Sequence, residues 1–138
     1  MKIHDLLQKE NIQKSNFLPT EELLLKAQEK LNFKMGILLK DYLLNCGFLE
    51  FFFVEINGIY ANKGLDSDLI TKTISLQERF EKTKGFILLE DKGDGDYILC
   101  DSNDKVYEFI PSMSFEIKPL NVDIISYLES RYSEVAEI

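Results

Sequence analysis

The sequence has one histidine, two cysteines, three prolines and no tryptophan among its 138 residues. His4 lies in a weakly patterned N-terminal segment, and Ser/His/Asp or Cys/His catalysis would depend on it alone, so it is a poor candidate for a general base. Cys46 and Cys100 each stand within apolar runs without a neighbouring Cys or His. They are expected to be buried thiols rather than a disulfide or zinc site, which favours a reducing, cytoplasmic setting.

Long apolar segments and several binding motifs are also missing. No apolar run approaches the roughly 20 residues that span a bilayer, and the N-terminus lacks the apolar core of a signal peptide. There is no Gly-rich phosphate-binding loop, no HExxH, and no basic stripe interleaved with aromatics for nucleic acid. We therefore expect no enzyme activity, cofactor or metal, and no direct contact with nucleic acid or membrane.

The charge that is present is unevenly distributed, with a net value of -8. Residues 1–40 hold seven lysines and five acidic residues, whereas residues 90–138 hold four basic and twelve acidic residues. Such an acidic surface repels phosphate backbones and attracts basic proteins, including those that bind nucleic acid themselves. An ordinary acidic surface without a partner explains the same charge.

Hydrophobic periodicity predicts an α+β fold, in which an antiparallel meander packs with N-terminal helices, a middle helix and a C-terminal helix. The Phe-rich segment is expected to be one strand buried on both faces or covered at its edge, ending in a tight turn at Asn57-Gly58. We predict a single domain over residues 1–138, with residues 1–19 as a partly ordered extension. The helices are predicted over 20–32, 36–46, 67–85 and 122–132, and the strands over Leu49–Ile56, Phe86–Leu89, Tyr97–Cys100 and Val106–Phe109.

The stretch EDKGDGDYILCD, Glu90 to Asp101, is the densest group of carboxylates. It does not fit an EF-hand calcium loop, because frames starting at Asp91, Asp94 or Asp101 lack either oxygen ligands or the required Gly. Asp94 and Asp96 could share a magnesium ion if they faced the same way on a strand, which would support a metal-dependent hydrolase. A turn is the favoured interpretation, because Gly permits positive φ and Asp bonds its own backbone.

An ordered set of segments resembles the SUKH superfamily. ILLKDYLLNCG (Ile37 to Gly47) is similar to the opening helix that ends in Gly, and EINGI (Glu55 to Ile59) to the strand-and-Gly segment. LITKTISLQERF (Leu69 to Phe80) is similar to the family's next helix, and GDGDYILCDSNDKVYEF (Gly93 to Phe109) to its hallmark hairpin. The similarity is strongest over residues 20–132, and the order of the segments is more specific than any one of them.

The resemblance implies a non-catalytic bacterial immunity protein that binds and neutralises a cognate toxin, frequently a nuclease. It also reaches eukaryotic cell-wall regulators, so a regulatory scaffold is the alternative. A basic toxin would match the acidic C-terminal third, with charge guiding the encounter. The expected partner-binding residues are Asp91, Asp94, Asp96, Asp104 and Glu108.

Overall fold

The computed structural model describes residues 3–137 and confirms the α+β class. The elements are α1 (Ile3–Leu7), β1 (Ile12–Lys14), α2 (Glu21–Leu31), α3 (Ile37–Cys46), β2 (Leu49–Phe51), β3 (Val54–Ile56), α4 (Asp68–Arg79), β4 (Ile87–Asp91), β5 (Tyr97–Cys100), β6 (Lys105–Phe109), β7 (Lys118–Asp123) and α5 (Ile124–Ala136). The strands form two antiparallel sheets, in the orders β1-β2-β3 and β4-β5-β6-β7, which are combined with the five α-helices over this range. Short 3-10 turns at Gly64–Asp66 and Glu81–Thr83 flank α4.

The helix α2 is stabilised by interactions between residues that are close in the sequence. Thr20 Oγ1 accepts a hydrogen bond from the Leu23 N–H at 3.1 Å, which satisfies one free donor of the first turn. Glu22 and Lys26 form an ion pair at 3.5 Å on the exposed side. Leu24, Ala27 and Leu31, at helical spacing, form a buried stripe that faces the main core.

The prediction of one strand over Leu49–Ile56 is wrong, because the chain turns back after Phe51 to form the β2–β3 hairpin. Phe51 pairs directly with Val54, and Phe52 at the tip has a φ of +56°. Phe51 is buried, whereas Phe52 and Phe53 are 49% and 66% exposed, so the expected burial holds for only one of the three. The expected burial depended on one continuous strand, and a two-residue turn ends that strand after Phe51.

Asn57-Gly58 is not a hairpin turn but the connection between the two sheets. The Asn57 backbone N–H donates to the Leu89 carbonyl at 2.9 Å, and its side-chain amide donates to the Leu88 carbonyl at 3.0 Å. A Cβ on Gly58 would lie 1.6 Å from the Gly47 carbonyl oxygen, so only glycine fits. Thr73 of α4 also contacts β4, because its Oγ1 accepts from the Leu88 N–H at 2.9 Å and so helps to cover the outer edge of that strand.

Further differences lie at the ends of the chain, in β7 and in α4, which ends at Arg79 rather than near residue 85. Residues 1–19 contain α1, whose Ile3 and Leu6 are buried in the main core, and β1, which pairs with β2; Met1 and Lys2 lie outside the described residues. The strand β7 was missed because it is a largely exposed edge strand that contains Pro119. The last helix begins at Ile124, with Asp123 Oδ1 accepting from the Ser126 N–H at 2.9 Å.

The main core joins the inner faces of the helices to one face of the four-stranded sheet, and a smaller cluster around Tyr97, Leu99 and Phe109 covers the other face. Cys46 and Cys100 are buried free thiols, as expected. Burial raises the pKa of Cys46 to about 12 and raises that of Cys100 as well, so neither thiol ionises near neutral pH. No helix within residues 3–137 has the length and apolar character that crossing a membrane requires.

Candidate functional site

The GDGD sequence forms the turn between β4 and β5, at one end of the four-stranded sheet. Gly93, Asp94 and Gly95 all have positive φ, of +86°, +56° and +75°, and the Asp96 N–H donates to the Gly93 carbonyl at 3.1 Å. Asp91 Oδ1 accepts from the Gly93 N–H at 2.9 Å, so one carboxylate stabilises the turn itself. The favoured interpretation as a turn is confirmed.

The geometry does not meet the condition for a shared metal ion at Asp94 and Asp96. Both residues precede β5, which begins at Tyr97, and Gly95 between them has a positive φ, so the strand alternation that would align their side chains is absent. Among the described residues, no group of three or more His, Cys, Asp or Glu side chains is arranged to hold a metal ion. This end of the sheet is instead a group of carboxylates of unequal exposure.

Four of the five predicted partner-binding residues lie at this end: Asp91, Asp94, Asp96 and Glu108, which we call the acidic end. Asp91 and Asp94 are exposed, whereas Asp96 and Glu108 are half-buried. Glu108 lies on β6 directly opposite Ile98 of β5, two residues after Asp96. The acidic end therefore combines carboxylates from a turn and from a neighbouring strand.

Asp96 is the most perturbed group of the acidic end. Burial raises its pKa from 3.8 to about 6, with a further rise from the hydrogen bond and repulsion between its carboxyl group and that of Glu108, while Lys92 and Arg131 act in the opposite direction. Its buried Oδ1 accepts no hydrogen bond from any described residue. Burial and the neighbouring carboxyl group of Glu108 therefore both oppose ionisation of Asp96.

A buried ion pair fixes α5 against the acidic end. Glu90 is 2% exposed, and its carboxylate accepts from Arg131 Nη2 at 2.9 Å and from Arg131 Nε at 3.1 and 3.2 Å. The Tyr127 hydroxyl donates to the same carboxylate, and burial, followed by the charge of Glu90, raises the pKa of Tyr127. Arg131 Nη1 reaches the exposed Glu134 at 2.7 Å, so one guanidinium joins a buried and an exposed carboxylate.

The fifth predicted residue, Asp104, lies in the turn between β5 and β6, beyond the other end of β5. It is 8% exposed, and its two carboxylate oxygens accept from the Leu38 and Leu39 N–H groups at 3.0 and 2.9 Å. It thus caps α3 from outside, because Gly36 at the N-cap has no side chain to do so. A contact between Asp104 and a partner stays a prediction, and burial of its carboxylate disfavours it.

The structure adds an exposed aromatic pair that the sequence analysis had placed in the core. Phe52 and Phe53 form the tip of the β2–β3 hairpin, which we call the aromatic tip. The Phe53 ring centroid lies 5.7 Å from Arg131 Cζ, so the tip adjoins the ion pair beside the acidic end. Three consecutive Phe were the available signal, because a strand with only one buried face cannot bury all three.

Comparison with known families gives one match. The model of the SUKH_5 family, described as SMI1-KNR4 cell-wall, matches residues 2–128. This range includes every segment on which the resemblance was based, and the match confirms it. No curated protein matches the sequence.

Proposed function

The chain belongs to the SUKH superfamily, and from that premise we propose that it is a non-catalytic immunity protein that binds and neutralises a cognate protein toxin. The observation that carries the proposal is the acidic end, where Asp91 and Asp94 present exposed carboxylates beside the half-buried Asp96 and Glu108. A toxin that acts on nucleic acid has a basic cleft, and clustered carboxylates at the end of a rigid sheet are a matching surface for it.

Charge matching predicts how such a complex would form and act. Exposed carboxylates that are not part of the core act mainly on the encounter, raising the association rate at low salt and excluding partners of like charge. Occupation of a basic cleft by these carboxylates would exclude the phosphate backbone of the toxin's substrate. Neutralisation then needs only binding, which agrees with buried, unreactive thiols and an exposed His4 in this chain.

The first experiment tests the proposal with the products of the neighbouring genes, among which we expect the toxin domain. Co-expression of this chain should protect cells from that toxin, and the purified pair should form a complex. Failure of the chain both to protect and to bind would contradict the immunity function.

Association kinetics then test the role of the acidic end. The double variant Asp91→Asn and Asp94→Asn keeps the turn, because Asn also tolerates positive φ and its side-chain oxygen accepts the Gly93 N–H. We expect association several-fold slower at low salt, with a flatter salt dependence and little change in dissociation. The matched control, Glu21→Gln with Glu29→Gln, removes the same charge from exposed positions on α2. Equal effects of the two double variants would move the interface away from the acidic end.

A regulatory scaffold is the second candidate, and the family description, SMI1-KNR4 cell-wall, favours it. Such a scaffold would also bind proteins without catalysis, but its partners would not be toxins. Absence of a toxin gene beside this one, together with stable complexes formed with other cellular proteins, would support the scaffold over the immunity protein.

A further inference from the structure

The aromatic tip combines two features that do not favour folding. Phe52 and Phe53 leave about half or more of their side chains in water, although each could bury a large apolar area. Phe52 also has a φ of +56°, a conformation that is costly for a bulky residue and that Asn or Gly adopts readily in a two-residue hairpin turn. Residues that are unfavourable for both burial and backbone geometry indicate a use outside the fold.

The tip is held in place before any partner arrives. The Phe52 ring lies 5.7 Å from the ring of Tyr132, which packs 5.6 Å from Phe51 and donates its hydroxyl to the Glu10 carbonyl at 2.8 Å. Phe53 lies over the guanidinium of Arg131, which the ion pair with Glu90 immobilises. A preordered aromatic pair loses little conformational entropy on binding, which is the property of an interface anchor.

The charges around the aromatic tip are mainly acidic. On the outer face of the hairpin, Glu50 and Glu55 lie directly opposite each other, an arrangement that destabilises an isolated sheet and that a basic partner would relieve. Glu134 pairs with Arg131 on the other side, and Lys9, 5.7 Å from the Tyr132 ring, adds a second cation to this rim. An apolar centre within a polar rim is the usual organisation of a protein interface, and acidic groups in that rim match a basic partner.

Arg131 makes the aromatic tip continuous with the acidic end. Its guanidinium contacts Phe53 and Glu90, and its charge acts on Asp96. Phe115, another exposed aromatic, packs against Phe80 and Phe109 and lies 5.0 Å from the Lys82 ammonium group. The charge of Arg131 beside Phe53, by contrast, is compensated by Glu90 and Glu134. A basic partner would therefore meet a compensated cation at the aromatic tip and an ammonium group beside Phe115.

We propose that Phe52 and Phe53 anchor the basic toxin, by entering an apolar pocket that borders its basic cleft. This inference rests on the proposed immunity function and assigns different roles to two parts of one surface. The acidic end controls how fast the toxin arrives, and the aromatic tip controls how long it stays.

The deciding variant replaces the tip by Gly-Asn, Phe52→Gly with Phe53→Asn, because the first turn residue has a positive φ and the second does not, a pattern that places glycine first. It should fold at least as well as the parent, because it relieves the conformation of Phe52 and removes exposed apolar surface. With the purified toxin domain encoded beside this gene, we expect affinity to fall about thirtyfold or more, mainly through faster dissociation. Ile37→Ala, at an 82% exposed apolar position on α3, is the control and should bind as the parent does.

Each result of this experiment has a defined meaning. If the parent chain does not bind the toxin, the immunity function fails and the anchor falls with it. If the parent binds and the tip variant dissociates at the same rate, the anchor alone is overturned and the immunity function stands. A dimer of this chain that the tip variant converts to monomer in sedimentation, with toxin binding unchanged, would assign the tip to self-association and also overturn the anchor.

Discussion

The turn between β4 and β5 and the turn between β5 and β6 lie at opposite ends of the same strand, and both are rich in Asp. In the β5–β6 turn, Asp101 Oδ1 accepts from the Asn103 and Lys105 N–H groups, and its Oδ2 accepts from the Tyr107 hydroxyl at 2.8 Å. Both carboxylate oxygens of Asp104 accept hydrogen bonds from backbone N–H groups of α3. In the β4–β5 turn, Asp91 bonds one local N–H and Asp94 points into solvent.

The difference teaches that a carboxylate in a turn is available to a partner only where the fold leaves its oxygens free. At the β5–β6 turn, backbone donors and a tyrosine consume the acceptors, so the carboxylates stabilise the protein. At the β4–β5 turn, two glycines satisfy the backbone geometry, so exposed carboxylates remain at the surface. The experiments below measure whether this contrast between structural and available charge is real.

The largest effect is expected for Arg131→Met, at the acidic end. Loss of the guanidinium would leave Glu90 buried with the Tyr127 hydroxyl as its remaining partner, and removing one member of a buried pair costs about 3 to 5 kcal/mol. Urea denaturation at neutral pH measures the free energy of unfolding. Glu134→Gln is the control, because it removes the exposed partner of the same guanidinium and should cost less than about 1 kcal/mol. Similar losses for both variants would show that the Glu90 pair is not the structural charge at this end.

The next effect is expected at the β5–β6 turn, for Asp104→Ala. It removes the cap of α3 and leaves two N–H groups without their acceptor, so we expect a loss of about 2 to 3 kcal/mol in the free energy of unfolding. Asp94→Ala, at the same backbone conformation but exposed, should change stability much less. Equal losses for the two Asp variants would remove the contrast between the turns.

A variant of a different residue tests the same cap. A Cβ on Gly36 would lie 2.4 Å from Asp104 Oδ2, so Gly36→Ala should displace the carboxylate from the helix. Since both changes break one interaction, the double variant should lose less stability than the two single variants together. Additive losses would indicate that Gly36 and Asp104 act separately.

Local signals in the sequence predicted the four long helices and the three strands β4, β5 and β6, because each has its own cap, periodicity or turn residues. Thr20 before α2 and Asp-Gly before β5 are signals of this kind. The β2–β3 hairpin was not predicted, because Phe at a left-handed turn position contradicts turn preferences. The sequence of β7 shows no alternation of apolar and polar residues, because this edge strand is largely exposed.

The candidate site was predictable in composition but not in arrangement. Charge counts located the acidity in the last third of the chain. They could not distinguish the exposed Asp94 from Asp104, which caps α3 by accepting from Leu38, 66 residues earlier in the chain. The lack of a side chain at Gly36 indicates that α3 needs an external cap, although nothing local identifies its source. The proximity of Phe53 to Arg131 depends on how α5 docks on the sheet, which is a tertiary contact.

The smallest effect, for Asp96→Asn, tests whether available charge destabilises the fold. The pKa of Asp96 is about 6 in the folded protein and near 3.8 when unfolded, so the folded state binds more protons between these values. The contribution of Asp96 to the stability of the parent therefore falls as pH rises from about 4 to 6, and its cost is fully present above that window. Glu90, Glu108, Lys92, Arg131 and Tyr127 are the charged or titratable groups that act on this site or share its network.

An Asn at position 96 carries no charge and can donate its amide hydrogen to Glu108. We therefore expect Asp96→Asn to be more stable than the parent by about 1 kcal/mol at pH 7.5, a modest gain because solvent screens this half-exposed site. The gain should vanish near pH 3, where the parent carboxyl is mostly protonated in both states. Asp94→Asn, with an exposed side chain, should show little gain at either pH. Denaturant unfolding at both pH values measures the difference, and a gain that does not change with pH would mean that the charge of Asp96 imposes no cost on the fold.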